Sequence, residues 1–398
     1  MTLTDTTAPE TGPEKVLSHL HPEGAWEVDR HPVPGRKDEI WRFTPLPRLK
    51  ELHADAPFGT AATTSTWTAP DAIRVATVEG EEAALLRGIS GWVPNSRFTA
   101  RVLAEVDSVL LVDVPADTEA DEPVMVEVTG SDAGATEAGR VALRFGRHSR
   151  AVVVLNHTGS AALAQVVEVE VGDGAQVTVV SVQDWADDAV HLTHHQARVG
   201  RDATYKHVAI TFGGDVVRMD ANVTYDGPGG SAELLGLYFA DAGQHVEHRL
   251  FADHNAPRTT SNVVYKGALQ GEGAHTVWIG NVLIRKVAEG IETYEENRNL
   301  VLTDGCRADS VPNLEIETGE IEGAGHASAT ARFDDEQLFY LRSRGVTEKE
   351  ARRLVVHGFF NDLIRKIGVP EIEESLTSTV EAELAKNVLK DLVEAVDA

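Results

Sequence analysis

The chain has 398 residues, of which 42% are hydrophobic, and its formal net charge is −27, from 63 acidic and 36 basic residues. This acidity argues against binding to DNA, RNA or anionic membranes, because contacts with phosphate need clustered lysine and arginine. The single cysteine, Cys306, excludes disulfides within the chain and any zinc or cluster site made from several of its own cysteines.

The first 100 residues combine a polar start with an aromatic segment. Residues 1–13 are predicted to be a disordered tail, and residues 14–100 a mixed, partly helical region. The start of the chain lacks the features of a signal peptide, and no apolar run approaches the roughly 18 residues of a membrane span, so we expect a cytoplasmic location. Trp41 and Phe43 lie between prolines and are predicted to anchor their segment to the fold. A peptide-binding groove is the alternative.

Residues 101–333 are predicted to be a β-rich core. Short runs alternate between apolar and polar residues, which is typical of strands with one buried face. Small turns followed by alanine recur between these runs, at Ala151, Ala175, Ala203, Ala232, Ala274, Ala308 and Ala327. This loose period, roughly 20–30 residues where the turns are evenly spaced, favours a β-solenoid, in which each coil buries its face against its neighbours. A jelly roll or sandwich is the alternative, since these folds also have evenly spaced short strands.

Residues 334–398 are predicted to be a helical domain. A first helix covers residues 336–343, and Thr347 begins a capping box for the second. One apolar face of the second helix contains Ala351, Leu354, Val355, Phe359, Leu363, Ile364 and Ile367. A last helix has Ile372, Leu376, Val380, Leu384, Val388 and Leu392 at helical spacing. These helices could cap the solenoid or bind a partner, and the aromatic residues favour a partner site: Phe339, Tyr340, Phe359 and Phe360.

The chain lacks the common catalytic motifs. It contains no GxxxxGK[ST] nucleotide loop, no HExxH zinc helix and no GxSxG nucleophile elbow. Two groups of histidines invite a metal site: His191, His194 and His195, and then His245, His248 and His254. Residues three apart on a strand point to opposite faces, so the ligands of each group would diverge. We therefore predict no metal site in either group.

Two other residues are candidates for chemistry. His326 lies in a run of small residues that would leave its imidazole uncovered, and a neutral imidazole is a competent ligand for iron. The alternative is a histidine that bonds a loop carbonyl. Cys306 is most simply a small residue at a turn, although the adjacent Arg307 could lower the pKa of its thiol. Cys306 is thus the weaker candidate.

Several segments together resemble one family. The longest resemblance runs through residues 296–302, 308–316, 325–330 and 335–345, and shorter ones cover 254–267 and 39–46. These segments are similar to the SufB/SufD family of iron–sulfur cluster assembly proteins, and the resemblance extends from about residue 30 to about residue 370. It implies a mainly β fold, with a right-handed parallel β-helix between N-terminal and C-terminal helical regions.

The resemblance also implies a function without catalysis. Members are scaffold subunits of the SUF complex, in which SufB and SufD pair through the ends of their β-helices and each C-terminal domain docks a SufC ATPase. The family's nascent iron–sulfur cluster lies at the SufB–SufD interface, and His326 falls on the histidine of that site. Ala324 stands where some relatives have a cysteine, which indicates a SufD-type subunit. The resemblance allows a homodimer of the isolated chain, and it allows a flavin, which no motif supports.

Two other functions stay open from the sequence. One is a cytoplasmic β-solenoid enzyme that acts on polysaccharide, since such folds host lyases and hydrolases with acidic and basic groups along one face. The other is an interaction scaffold that binds no iron. Substitution of His326 separates the second from the SUF function.

Overall fold

The computed structural model describes residues 20–59, 62–333, 335–370, 372–374 and 376–380. The predicted tail at 1–13 lies outside this range, as do Leu384, Val388 and Leu392 of the predicted last helix. Three short 3-10 turns come first, at Val28–Arg30, Glu39–Trp41 and Leu46–Arg48. The N-terminal elements that follow are β1 (Thr63–Thr68), β2 (Arg74–Val78), α1 (Gly80–Leu85), α2 (Arg97–Glu105) and β3 (Val109–Val114).

The remaining elements are a series of strands and then two helices. The strands are β4 (Val124–Phe145), β5 (Arg150–Val171), β6 (Gln176–Trp185), β7 (Val190–Val199), β8 (Thr204–Thr211), β9 (Val216–Tyr225), β10 (Ser231–Ala240), β11 (His245–His254), β12 (Thr260–Leu269), β13 (His275–Ile284), β14 (Glu292–Val301), β15 (Arg307–Ile316) and β16 (Gly323–Arg332). The helices are α3 (Asp335–Ser343) and α4 (Glu348–Ile367).

The strands wind into a parallel β-solenoid of about eight turns. Each coil gives one strand to an even ladder, β5-β6-β8-β10-β12-β14-β16, and one to an odd ladder, β5-β7-β9-β11-β13-β15. Positions 204, 231, 260, 292 and 323 stack in register along the even ladder. The predicted solenoid is therefore confirmed, and the jelly-roll alternative is wrong.

Most of the alanines that mark the sequence period line the interior of the coils. Ala151, Ala175, Ala203, Ala232 and Ala274 are each at most 2% exposed. A small side chain is needed there because stacked coils bring successive turns close together. Ala308 lies on the inner face of the last coil, which no further described coil covers, and is half-buried, whereas Ala327 is in register with Glu296 on the outer face and is exposed.

The outer faces of both ladders are also covered. The N-terminal region packs Leu49, Phe98 and Val102 on the outer face of the odd ladder. On the even ladder, α4 packs Val356, Phe360, Leu363, Ile364 and Ile367, and the helical residues after it add Ile372, Leu376 and Val380. Helices α2 and α4 therefore lie along the side of the solenoid, and α4 does not form the predicted cap at its end.

The aromatic segment anchors the N-terminal region, as predicted. Trp41 is 5% exposed and lies under the guanidinium of Arg218, 3.8 Å from its ring centroid. The same guanidinium donates to Thr44 Oγ1 over 2.7 Å, and that hydroxyl donates to Glu247 Oε2 over 2.7 Å. The alternative of a peptide-binding groove at Trp41 is wrong, because the ring is buried against the chain's own strand.

The predicted helix boundaries are confirmed, but the predicted apolar face of the second helix is partly wrong. Thr347 Oγ1 accepts a hydrogen bond from the amide of Glu350 over 3.2 Å, and Gly368 ends α4 with a φ of +72°. Leu354 is 49% exposed, whereas Phe360 is fully buried. The helix is apolar around much of its circumference, and contact with β10 and β12 selects the buried side.

Alternating tyrosine and glycine fix the spacing of two inner coils, and we predict that Gly267→Ala destabilises the fold. Gly236 is in register with Tyr265, and Gly267 with Tyr238. A β-carbon at Gly267 would lie 1.8 Å from the ring of Tyr238. We expect a loss of about 1–3 kcal/mol or more in the free energy of unfolding, measured by urea denaturation.

The matched control is the same substitution in α4. A β-carbon at Gly358 has no neighbour within 4 Å, so Gly358→Ala should stabilise the helix by up to about 1 kcal/mol. Equal effects of the two substitutions would contradict the close contact between Gly267 and the tyrosine ring.

Candidate functional site

The solenoid has an open end at its last coil. Within the described residues, β15 pairs only with β13 and β16 only with β14. Both strands therefore present one edge without strand partners, and most of β16 is exposed. Apart from Leu314 of β15, the inner face of this coil carries small or polar side chains: Ala308, Ser310 and Pro312 from β15, and Ala324, His326, Ser328 and Thr330 from β16.

His326 lies on that inner face. It is in register with Glu295 of β14, a buried inward residue, and side chains alternate along parallel strands, so the two share a face. The imidazole is exposed and has no hydrogen-bond partner in the part of the chain that the structure describes. The alternative prediction, a histidine bonded to a loop carbonyl, is therefore wrong: His326 lies within a strand, and its imidazole bonds to no described carbonyl.

A hydrogen-bonded network holds the last coil on the one before it. Asn299 Nδ2 donates to Asn297 Oδ1 over 2.8 Å, and Ser310 Oγ donates to the same oxygen over 2.7 Å. The hydroxyl of Tyr238 donates to Asn299 Oδ1 over 2.7 Å and accepts from Asn297 Nδ2 over 2.9 Å. Buried polar side chains that satisfy one another fix a specific arrangement, so this network positions β15 and β16.

Glu295 is buried next to this network but takes no part in it. Its side chain is 1% exposed, and neither carboxyl oxygen has a hydrogen-bond partner among the described residues. Desolvation raises the pKa of Glu295 to about 8. Sequence reasoning missed Glu295, Asn297 and Asn299 as site residues. The signal was their alternation at every second position of one strand, which marks them as a polar inner face.

Cys306 lies at the turn before β15 and is half-buried. Its Sγ donates to the carbonyl oxygen of Gly271 over 3.3 Å. Burial raises the pKa of the thiol, and Glu272 and Asp241 add to the effect. The predicted activation by Arg307 is wrong, because that guanidinium lies 2.7 Å from Asp309 Oδ2 instead.

The four aromatic residues proposed for partner binding separate into two groups. Phe339 is 75% exposed and Tyr340 is 56% exposed, on α3. Phe359 is half-buried, and its carbonyl oxygen accepts from Lys266 Nζ over 2.9 Å. Phe360 is fully buried between α4 and the even ladder, so its predicted role in partner binding is wrong.

Comparison with known proteins identifies the family. Residues 128–359, more than half of the chain, match the model described as SUF system FeS cluster assembly, SufBD core domain. The chain belongs to the SufBD family. It is 54% identical over 366 residues to an iron-sulfur cluster assembly SufBD family protein of Mycobacterium tuberculosis (strain ATCC 25618 / H37Rv), an alignment that covers 90% of this chain and 91% of the relative.

Two further SufBD relatives differ in how much of their length aligns with this chain. A Mycobacterium leprae protein (strain TN) of the same description is 51% identical over 371 residues, which cover 90% of this chain and 93% of the relative. A second Mycobacterium tuberculosis (strain ATCC 25618 / H37Rv) protein with that description is 31% identical over 202 residues, only 51% of this chain and 24% of the relative. The full-length similarity is therefore to the first two.

Two histidines of the first group, His191 and His194, point to opposite faces of β7 in this SufBD chain. His191 faces the interior, where its Nδ1 lies 2.6 Å from Gln183 Oε1, and His194 faces outward and stacks on Trp92 with 4.2 Å between ring centroids. Burial lowers the pKa of both imidazoles. The prediction that these ligands diverge is confirmed for this pair.

Among the described residues, one group of three side chains has donor atoms close enough together for a divalent cation. His21 Nε2 lies 3.0 Å from Glu315 Oε1 and 3.8 Å from Glu317 Oε1. The hydrogen bond between His21 Nε2 and Glu315 Oε1 accounts for this arrangement and ties the N-terminal segment to β15. None of the described helices is long and apolar enough to cross a membrane.

Proposed function

We propose that this chain is a SufD-type scaffold subunit of the SUF complex, that it has no catalytic activity of its own, and that its open end pairs with a SufB-type subunit. The observation that carries the proposal is His326, an exposed imidazole on the inner face of the last coil. A nascent iron–sulfur cluster at the interface would take His326 as its ligand from this chain.

The donor atoms at the open end support a shared site. Ala324 lies two residues before His326 and so occupies the same face of β16, but it supplies no thiolate. An imidazole here and a thiolate from the partner would provide the mixed ligands that suit iron in clusters. A cluster held partly by each subunit can be released when the subunits move, which a carrier function requires.

The strand edges support pairing through the end of the solenoid. Unpaired edges present rows of amide and carbonyl groups, and proteins either protect such edges or use them for association. Most of β16 is exposed, and β15 is half-buried except at its two ends, where Ile316 is an exposed apolar residue at 43%. The same edges would let the isolated chain form a homodimer.

The other two functions are less well supported. A polysaccharide enzyme needs a long open face on its solenoid, whereas helices and the N-terminal region cover much of the outer faces of the ladders. An interaction scaffold that binds no iron would not require the imidazole at the open end. The proposal assigns no residue to a flavin.

The test is an anaerobic pull-down of the tagged chain from the cytoplasm of its own cells, with the bound chains identified by mass. Recovery of a SufC-type ATPase and of a SufB-type chain with cysteine at the shared site is the expected result. Recovery of this chain alone, colourless and without an ATPase, would contradict the proposal.

We predict that Phe339→Ala combined with Tyr340→Ala weakens binding of the ATPase. Both rings are exposed on α3, so their removal should leave the fold intact. A large aromatic residue at an interface centre contributes about 2 kcal/mol or more, and such contributions are not additive. We therefore expect the loss of at least one such contribution, a fall in affinity of roughly 30-fold or more by isothermal titration calorimetry.

The matched control is Leu85→Ala. Leu85 is also 75% exposed, but it lies on α1 in the N-terminal region, and its substitution should leave ATPase affinity unchanged. Normal affinity of the double variant would place the docking surface elsewhere.

A further inference from the structure

The burial of Glu295 has no structural explanation within the described fold. Its side chain is 1% exposed, and both carboxyl oxygens lack a hydrogen-bond partner among the described residues. A buried polar group without a partner destabilises a fold by about 1–3 kcal/mol, whereas an apolar side chain of similar shape avoids that cost. Neighbouring Asn297 and Asn299 show that this strand can satisfy its inner polar groups.

The fold leaves space for this carboxyl group beside Gly280, on the opposite strand of the same coil. A β-carbon at Gly280 would lie 2.6 Å from Glu295 Oε1, so the carboxyl group occupies the volume that a side chain at position 280 would fill. Gly280 of β13 is in register with Pro312 of β15, which belongs to the last coil. The carboxyl group thus reaches across the interior just below the open end.

Glu295 and His326 are neighbours along the even ladder. They are in register on β14 and β16, and adjacent strands are about 4.8 Å apart. Both side chains are on the inner face, so a carboxylate oxygen and an imidazole nitrogen can approach one ion from adjacent coils. Asn297, Asn299 and Ser310 already hydrogen-bond to one another, so we do not assign them as ligands of this ion.

We propose that Glu295 is a second ligand, together with His326, in a site for ferrous iron at the open end of the solenoid. The inference rests on the proposed role of His326 and adds a carboxylate to it. Carboxylate oxygen and imidazole nitrogen are both suitable donors for divalent iron, and the remaining positions are open to water and to a thiolate from the partner. The bound ion would also provide the partner that the buried carboxyl group lacks.

The test is an anaerobic titration of the full chain with Fe²⁺, in which calorimetry measures the affinity. Glu295→Gln preserves shape but removes the anionic oxygen, and we expect it to weaken Fe²⁺ binding by about tenfold or more, as should His326→Ala. The matched control is Glu296→Gln, since Glu296 is paired with Arg298 on the outer face of the same strand. That variant should bind Fe²⁺ as the wild-type chain does.

The outcomes separate this inference from the proposed function. If Glu295→Gln binds Fe²⁺ normally while His326→Ala does not, Glu295 is not a ligand and the role of His326 stands. Normal Fe²⁺ binding by His326→Ala would contradict that role instead. If the wild-type chain binds no Fe²⁺ at millimolar concentration, the two-ligand site does not exist.

A second variant avoids the side-chain amide of Glu295→Gln, which could itself bind the ion. Glu295→Leu removes the unpaired carboxyl group, and we expect a higher melting temperature together with loss of Fe²⁺ binding. Thermal unfolding followed by circular dichroism checks that each variant is folded. A folded Glu295→Leu chain with full Fe²⁺ affinity would overturn the inference.

Discussion

Replacing Arg218 with alanine is expected to lower the free energy of unfolding by about 3–5 kcal/mol, the cost of breaking a buried ion pair from one side. Arg218 and Glu247 have no exposed side-chain surface, and their closest charged atoms are 3.6 Å apart. Burial opposes ionisation of Glu247, but Arg218 and the neighbouring basic groups outweigh it and hold its pKa below the usual range. Without the guanidinium, Glu247 stays buried with weaker compensation.

The loss should extend to the N-terminal anchor. The guanidinium of Arg218 also covers the ring of Trp41 and donates to the hydroxyl of Thr44. Removing it therefore eliminates a cation–π contact and a hydrogen bond that attach the aromatic segment to β9. We expect hydrogen exchange to increase at the amides of residues 39–46 before it increases in the interior strands.

The matched control is Arg144→Ala. Arg144 forms an ion pair with Asp113 on the surface, where its side chain is 44% exposed. Exposed pairs contribute about 0–1 kcal/mol, so this variant should unfold at nearly the wild-type urea concentration. Equal losses in the free energy of unfolding for the two variants would contradict the prediction that the buried Arg218 pair stabilises the fold more than an exposed pair does.

Replacing His326 with alanine is expected to remove most of the iron and sulfide from the purified complex. Loss of a partner that only orients a metal ligand reduces affinity by about 10–100-fold, and loss of the ligand itself should cost at least as much. His326 is exposed and makes no hydrogen bond within the described chain, so the substitution should leave the fold intact. Iron and acid-labile sulfide are measured per complex after anaerobic purification.

A control histidine distinguishes this role from a general effect of removing an imidazole. His148 is also exposed, at the turn before β5 and far along the sequence from the last coil. His148→Ala should retain the wild-type content of iron and sulfide. If His326→Ala also retains it while the complex assembles normally, the chain is an interaction scaffold that binds no iron.

Much of the fold could be predicted because solenoids repeat local rules. Alternating strands and buried turn alanines reveal the coils, and the helix caps at Thr347 and Gly368 are local signals. The side of α4 that packs could not be predicted from its pattern. Leu354 and Phe360 are both apolar, and only the shape of the ladder beneath determines that Phe360 is the buried one.

The candidate site could be predicted only in part. The residue pattern alone left His326 and Cys306 as the two candidates for chemistry, and the family resemblance favoured His326. Alternation along β14 could have marked Glu295 as an inward residue, but its position beside His326 depends on the register between β14 and β16, which no local pattern reveals. The hypothesis that Arg307 lowers the pKa of the Cys306 thiol was wrong. Arg307 pairs with Asp309 instead, a contact that forms only when the strand is folded.

The most direct test of the central claim is pulsed electron paramagnetic resonance of the reduced cluster in the anaerobically purified complex. A histidine ligand couples its ring nitrogen to the unpaired electron, and this account predicts a nitrogen coupling that changes with ¹⁵N-histidine labelling of this chain. The coupling should disappear in His326→Ala. A cluster that shows no histidine nitrogen, or that keeps the same coupling in the variant, would contradict the assignment of His326 as the ligand from this subunit.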